Sequence, residues 1–197
     1  MRPQALITDL DGTLFTLNTD WVLLKKKLSR FSKKYGFLSA FTHLDPELEK
    51  FVSFLHNTFD QKKATFIKSA LYNIILEKEL AGIPSGREVD GATKLLVKLH
   101  SKHIKIGVIS GNSRKTIIKV VKKMDWKVDV IIGREDTSKP KPNSDGVIKC
   151  LAKLEIAPEK CWAVGNRQND IDAYRGAKIT KVFLLGKDIT KLGQLYE

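Results

Sequence analysis

Cysteine is scarce, with two residues in the chain (Cys150 and Cys161), and the four histidines are scattered. That excludes a disulfide framework and a Cys/His zinc cluster, and it fits a reducing compartment, so the cytoplasm is the expected location. No apolar run approaches the roughly 18–20 residues that a membrane-crossing helix needs, and no membrane partner is expected. The opening MRPQALITDLDG is interrupted by acids too early to read as a secretory leader. Acidic residues are the minority charge: 22 Asp+Glu stand against 35 Lys+Arg, a formal net charge of +13. The basic excess collects in 98–127, where nine Lys/Arg face the single acid Asp125, and in KKKLSRFSKK at 25–34. Such stretches read as solvated lysine-rich surface that can draw small anions. No zinc-finger or aromatic-rich RNA-binding pattern accompanies them, so nucleic acid is not an expected partner.

What is present is two kinds of periodicity. Ala5–Thr8 is a short, apolar, partly β-branched run that ends at Asp9, and it reads as a strand. From Trp21 to Leu80 the period is helical instead. Trp21, Leu24, Leu28, Phe31 and Tyr35 form one stripe. Leu48, Phe51, Val52, Leu55 and Phe59 form a second, after a helix start at Asp45-Pro46-Glu47. Ile67, Ala70, Leu71, Ile74 and Ile75 form a third. Then AGIPSGRE at 81–88 reads as a linker.

Beyond it strands and helices alternate. Strands are predicted at 104–109, 128–132, 161–164 and 180–185. Helices are predicted around Ala92–Leu99, after a Ser113 cap, from Asn143 or Ser144, and from about Asn169. Continuously apolar strands alternating with helices imply a parallel sheet covered on both faces. The expected fold class is therefore α/β: a Rossmann-like, doubly wound parallel sheet at 1–14 and 86–197, with a small all-helical cap inserted after the first strand at 15–85. With 197 residues the chain is long enough for one such core and its insertion.

Ligands of open α/β sheets sit beyond the carboxyl ends of the strands. At those ends lie Asp9 and Asp11; Ser110, Gly111 and Asn112; the stretch GREDTSKPKP with Lys139; and Gly165, Asn166 and Asp170. These motifs resemble those of the haloacid dehalogenase superfamily. DLDGTLF at 9–15 matches its DxDGT motif, VISGN at 108–112 its second, KPKP at 139–142 the K-P-x-P form of the third, and VGNRQND at 164–170 the fourth. All four come in order and span almost the whole chain. The helical insertion between the first and second motifs is similar to that of the phosphoglycolate-phosphatase-like branch.

The resemblance implies a Mg²⁺-dependent phosphatase acting on a small phosphorylated metabolite. Asp9 takes the place of the nucleophile that forms an aspartyl-phosphate, and Asp11 that of the general acid/base. Gly12, Ser110, Gly111 and Asn112 fall where the phosphoryl oxygens are bound, with the Gly12 N–H and the Ser110 hydroxyl as donors. Lys139 would neutralise the crowded charge. Lys141 also precedes a proline, but only Lys139 begins K-P-x-P. Mg²⁺ would be held by Asp9, the Asp11 carbonyl and Asp170, with Asn166 supplying a neutral amide oxygen where the common pattern has Asp.

Three other readings fit the same residues less well. A dehalogenase typically lacks an acid two residues after its nucleophile, and Asp11 is present. A phosphomutase needs a further acid/base, often a His, near the start of the insertion, and Thr16–Asp20 contains none. A non-catalytic anion-binding protein would not need to keep Asp9, Asp11 and Lys139. His100 and His103 read as surface residues, and Cys150 and Cys161 as small buried hydrophobes.

Overall fold

The computed structural model describes residues 2–41 and 44–195, and for 44–47 the backbone only. The chain divides into two compact units, one made of 1–18 with 83–197 and the other of 19–82.

In the first unit, Ala5–Thr8 forms β1, every residue buried. Four more strands follow in sequence: β4 (Lys105–Ile109), β5 (Val130–Ile132), β6 (Cys161–Gly165) and β7 (Lys181–Leu184). They lie in the order β5-β4-β1-β6-β7, all parallel, with Ile7 opposite Gly107 on one side and Ala163 on the other. The strand order reverses at β1, whose two neighbours come from the two later halves of the chain. A crevice opens beyond the strand ends at such a reversal, and Asp9 stands at that edge.

Helices cover both faces. On one, α6 (Asp145–Leu154) and α7 (Gln168–Gly176) bury Val147, Cys150, Leu154, Ile171 and Tyr174 against Ala5, Ile7, Ile109 and Ala163. On the other, α4 (Ala92–Ser101) packs on β4 and α5 (Arg114–Lys123) on β5. Ser113 caps α5 as expected, its hydroxyl accepting from the Lys115 N–H at 3.3 Å, which satisfies one of the helix's orphan donors. Both cysteines are buried and free, and burial pushes each thiol up to about 12. They are apolar filling in this core.

The second unit holds α1 (Trp21–Lys33), α2 (Leu44–Thr58) and α3 (Gln61–Gly82). Asp20 caps α1 by accepting from the Leu23 N–H at 2.8 Å. The stripes read from the sequence meet in a core of its own: Leu24, Leu28, Phe51, Leu55, Ile67, Leu71 and Ile75 are all buried. Phe41, from the connection after α1, is buried with them, its N–H held by Ser29 Oγ at 2.9 Å.

The boundary of the insertion differs from the expected 15–85. Phe15–Thr16 (β2) pairs antiparallel with Arg87–Glu88 (β3), and Asn18 Nδ2 donates to Ser85 Oγ at 3.1 Å. These residues belong to the sheet unit, and the stretch read as a linker holds the last two residues of α3, a turn at 83–85 and the short strand β3. A two-residue ribbon carries too little periodicity to be seen in sequence. Because the ribbon brings the two ends of the insertion together, replacing 19–82 by a short Gly/Ser linker is expected to leave a cooperatively unfolding α/β unit. A broad, non-cooperative denaturation curve for that variant would show that the sheet depends on the helices.

Candidate active site

Four loops at the carboxyl edge of the sheet bring the site together. β1 delivers Asp9, which is 6% exposed, and α7 delivers Asp170 from its first turn, at 2%. Between them sits the ammonium of Lys141. Its Nζ donates to Asp9 Oδ1 at 2.7 Å, makes a short contact with Asp170 Oδ1, and lies 3.3 Å from the Ile109 carbonyl. The other Asp170 oxygen, Oδ2, accepts from the Arg167 N–H at 3.0 Å, which fixes the carboxylate at the start of α7. A buried cation between two carboxylates is held only because its partners compensate its desolvation. Burial alone would lower the Lys141 pKa, but Asp9 and Asp170 outweigh it and hold the ammonium above its usual range. Asp9 goes the other way. Its burial dominates, Asp170 and Asp11 add repulsion, and Lys141 offsets only part of this, so its carboxyl rises to about 6.

The lysine in this position is not the expected one. Lys139, read from the K-P-x-P pattern, is exposed, and Lys141 reaches the carboxylates. After β5 the chain makes a short 3₁₀ turn at Arg134–Asp136, and Ser138 is tied by its N–H and hydroxyl to Asp145 Oδ2 at 2.7 and 3.2 Å. Lys139 and Pro140 therefore form the outer bend of the loop, and the chain turns inward at Lys141, four residues before α6. The K-P-x-P spacing points to Lys139, and nothing within KPKP marks Lys141 as the lysine that turns inward.

The remaining expected residues lie on the loops after β1, β4 and β6. Thr13 was not singled out from the sequence. Its hydroxyl lies 3.4 Å from Asp9 Oδ2 and 3.3 Å from Asn166 Oδ1, so its one proton can serve either oxygen but not both. Asp11 is half-buried, and its Oδ1 accepts from the Leu17 N–H at 2.9 Å. Gly12 was expected to offer its N–H to a phosphoryl oxygen, but that N–H donates to the Phe15 carbonyl at 2.9 Å. The need for glycine lies elsewhere. Its φ is +85°, and a Cβ there would stand 2.2 Å from Asn166 Nδ2. Gly12 thus lets the Asp9–Asp11 loop and the Asn166 loop touch.

On the β4 side Ser110 is buried, its hydroxyl donating to Asn112 Oδ1 at 2.7 Å and accepting from the Asn112 N–H at 3.2 Å. Asn112 is buried and Gly111 exposed at the tip, just ahead of the α5 N-terminus, where negative charge is favoured.

Among the described residues no group of three or more His, Cys, Asp or Glu is gathered as a metal cluster. The donors that do converge are hard oxygens: the Asp9 and Asp170 carboxylates, both closing on one ammonium nitrogen, and the Asn166 amide near Thr13. Lys141 stands where a compact cation is already balanced by two carboxylates. A few hard protein oxygens are what Mg²⁺ takes beside its waters, so the chemistry of these residues fits that ion.

Comparison with known proteins places the chain in a family and a fold. A family model described as haloacid dehalogenase-like hydrolase matches residues 6–184. PpaX of Caldanaerobacter subterraneus is 27% identical over 184 residues, spanning 92% of this chain and 81% of that protein. The pyrophosphatase PpaX of Listeria innocua is 25% identical, over 88% of this chain and 79% of its own length. Among solved structures, a haloacid dehalogenase-like hydrolase from Bacteroides fragilis is 20% identical with a TM-score of 0.67, covering 98% of this chain and 100% of that one. A β-phosphoglucomutase from Clostridium difficile has the same TM-score, 0.67, at 20% identity, over 92% and 83% of the two chains. At that identity the structural likeness concerns the fold alone.

Proposed function

The chain belongs to the haloacid dehalogenase-like hydrolase family, and from that membership we propose that it is a Mg²⁺-dependent phosphatase that frees orthophosphate from a small phosphorylated metabolite through a phospho-Asp9 intermediate. The observation that carries the reading is the Lys141 ammonium held between buried Asp9 and Asp170 at the strand reversal. A lone carboxylate so placed would be a poor anion receptor. With its charge balanced it can meet a phosphoryl group.

The two Asp9 oxygens are held unequally. Oδ1 is fixed by Lys141 at 2.7 Å, while Oδ2 is met, among the described residues, by Thr13 at 3.4 Å, so Oδ2 is the oxygen that attacks phosphorus. The bond from phosphorus to the leaving oxygen breaks as Asp11 delivers its proton to that oxygen. Water then attacks the phosphorus of phospho-Asp9 and gives its proton to the Asp11 carboxylate. The bond to Asp9 breaks, orthophosphate leaves, and both side chains are restored. Asp11 Oδ1, anchored on the Leu17 N–H, keeps the acid oriented through both steps. Ser110 turns its hydroxyl from Asn112 to a phosphoryl oxygen, and Lys141 balances the charge of the oxygens around it. Mg²⁺, held by Asp9, Asp170 and the Asp11 carbonyl with Asn166 beside them, would supply further neutralisation of phosphoryl charge.

A pyrophosphate substrate is the second reading, favoured because the Listeria relative carries that name. Orthophosphate release from p-nitrophenyl phosphate, a set of two- to six-carbon phosphate monoesters and pyrophosphate tests both. Release from at least one monoester with Mg²⁺, abolished by EDTA, is the expected result. Turnover of pyrophosphate alone favours the second reading, and no release from any of them overturns the proposal. In the same assay Asn166→Asp is expected to lower the half-saturating Mg²⁺ concentration several-fold, since a carboxylate replaces a neutral amide beside a hard cation. An unchanged Mg²⁺ dependence would place Asn166 outside the metal's surroundings.

A further inference from the structure

Resting on that reading, we propose that Arg134 is a positioning residue for phosphoryl binding: it clamps the loop after β4 from behind and thereby aims the Ser110–Asn112 donors.

Arg134 lies on the short turn after β5, outside the four motifs read from the sequence. It makes two hydrogen bonds to the neighbouring loop. Its own N–H donates to the Asn112 carbonyl at 2.9 Å, and its Nη1 donates to the Gly111 carbonyl at 2.8 Å. A trans peptide is planar, so holding the Gly111 carbonyl turns the Asn112 N–H to the opposite side. That N–H points at Ser110 Oγ, 3.2 Å away, and Ser110 Oγ in turn donates to Asn112 Oδ1 at 2.7 Å. The chain from guanidinium to serine hydroxyl is therefore continuous: Arg134, Gly111 carbonyl, Asn112 N–H, Ser110. Holding the Asn112 carbonyl fixes the next peptide, at Ser113, in the same way.

The surrounding contacts keep the two loops in register. Arg114, the first residue of α5, donates its N–H to Glu135 Oε2 at 2.9 Å and its Nη1 to Asp136 Oδ2 at 3.1 Å. Asp136 Oδ2 also accepts from the Gly133 N–H at 2.8 Å. The two segments approach so closely at Gly133 that a Cβ there would stand 2.4 Å from the Arg114 nitrogen. The Arg134–Asp136 turn is thus a brace built against the back of the β4 loop, and its carboxylates hold the start of α5 while its arginine holds the loop tip. Pre-set donors bind a phosphoryl group without first being ordered, which is the advantage such a brace confers.

A brace of this kind acts on binding in ground and transition states alike. Its loss should raise KM and leave kcat little changed. For Arg134→Met, KM for p-nitrophenyl phosphate is expected to rise about tenfold, the effect of one well-made hydrogen bond, with the competitive Ki of orthophosphate rising in parallel. Arg134→Lys, which keeps one donor, should recover part of both. Gly133→Ala should raise both by forcing the loops apart while leaving the guanidinium present, so it reads the same property if Arg134→Met fails to fold. Folded variants with a lowered melting temperature but wild-type KM and Ki would overturn the proposal, because that is what a merely structural arginine gives. A wild-type protein that hydrolyses no phosphate compound sinks the functional reading itself, and the wild-type control separates the two failures.

Discussion

Asp9→Asn is expected to lose at least about a thousandfold in kcat/KM while making the metal-free protein more stable at neutral pH. The loss follows from chemistry, since an amide oxygen does not form the covalent phosphoryl bond. The gain follows from burial. In the folded protein the Asp9 carboxyl is raised from an ordinary value of 3.8 to about 6, so the folded state holds this proton more tightly than the unfolded chain does. Below about pH 4 both states are protonated and the group costs nothing. As pH rises from about 4 through 6 the folded protein must give up a proton it holds well, and stability falls. Above that window the ionised carboxylate costs on the order of 3 kcal/mol. Asparagine has nearly the same shape and no charge, so it escapes the cost, although Lys141 then loses one of its two carboxylates.

A net gain of about 1–3 kcal/mol is therefore expected at pH 8 with chelator present, shrinking towards zero near pH 4. Urea denaturation of both proteins across pH measures it. Equal stability at pH 8, or a gain that grows towards acid, would show that Asp9 is not strained by its surroundings. Function and stability pull apart here because a nucleophile must be ionised where ionisation is costly.

The readable parts of the molecule were those where one residue pattern has one physical solution. Ala5–Thr8, a short and mostly apolar run that leads into Asp9, reads as a strand buried on both faces, and it is β1 at the centre of the sheet. The three helical stripes between Trp21 and Leu80 needed one another to be buried, and they share a core. Asp9, Ser110 and Asn166 follow strand ends and Asp170 lies in the first turn of the helix after β6, so topology brings them to one edge. What stayed hidden depended on how a loop folds. Nothing in KPKP tells which lysine turns inward; that follows from the 3₁₀ turn at Arg134–Asp136 and from Ser138 being tied to Asp145. The Gly12 N–H is spent on Phe15 because the loop closes on itself, and Thr13 faces Asp9 Oδ2 for the same reason. The ribbon of Phe15–Thr16 with Arg87–Glu88 joins residues far apart in sequence through two-residue strands, which leave no periodic trace.

Lys141→Met and Lys139→Met should differ sharply. Lys139 is exposed at the bend of its loop, and exchanging it should change stability by no more than about 0.5 kcal/mol and leave turnover near wild type. Lys141 is the cation between Asp9 Oδ1 and Asp170 Oδ1, carboxylates 6% and 2% exposed. Methionine keeps most of the side chain's volume and removes the charge, so the two buried carboxylates are left facing each other. Breaking a buried ion pair from one side costs about 3–5 kcal/mol because the remaining charge has no partner. Here the cost can be relieved by protonation: without Lys141, the chief influence lowering the Asp9 pKa is gone, and Asp9 should hold its proton to a higher pH than in the wild type. Lys141→Met is therefore expected to be strongly destabilised at pH 8 and to recover stability as pH is lowered, the difference from wild type narrowing in acid. Its kcat/KM should fall by at least about a hundredfold, through loss of charge stabilisation on the phosphoryl oxygens and through a nucleophile that is protonated at neutral pH. Circular dichroism melting at pH 5 and pH 8, with phosphate release measured alongside, checks both parts. If Lys139→Met were the inactive variant and Lys141→Met kept full activity, the ammonium between Asp9 and Asp170 would have no part in the chemistry.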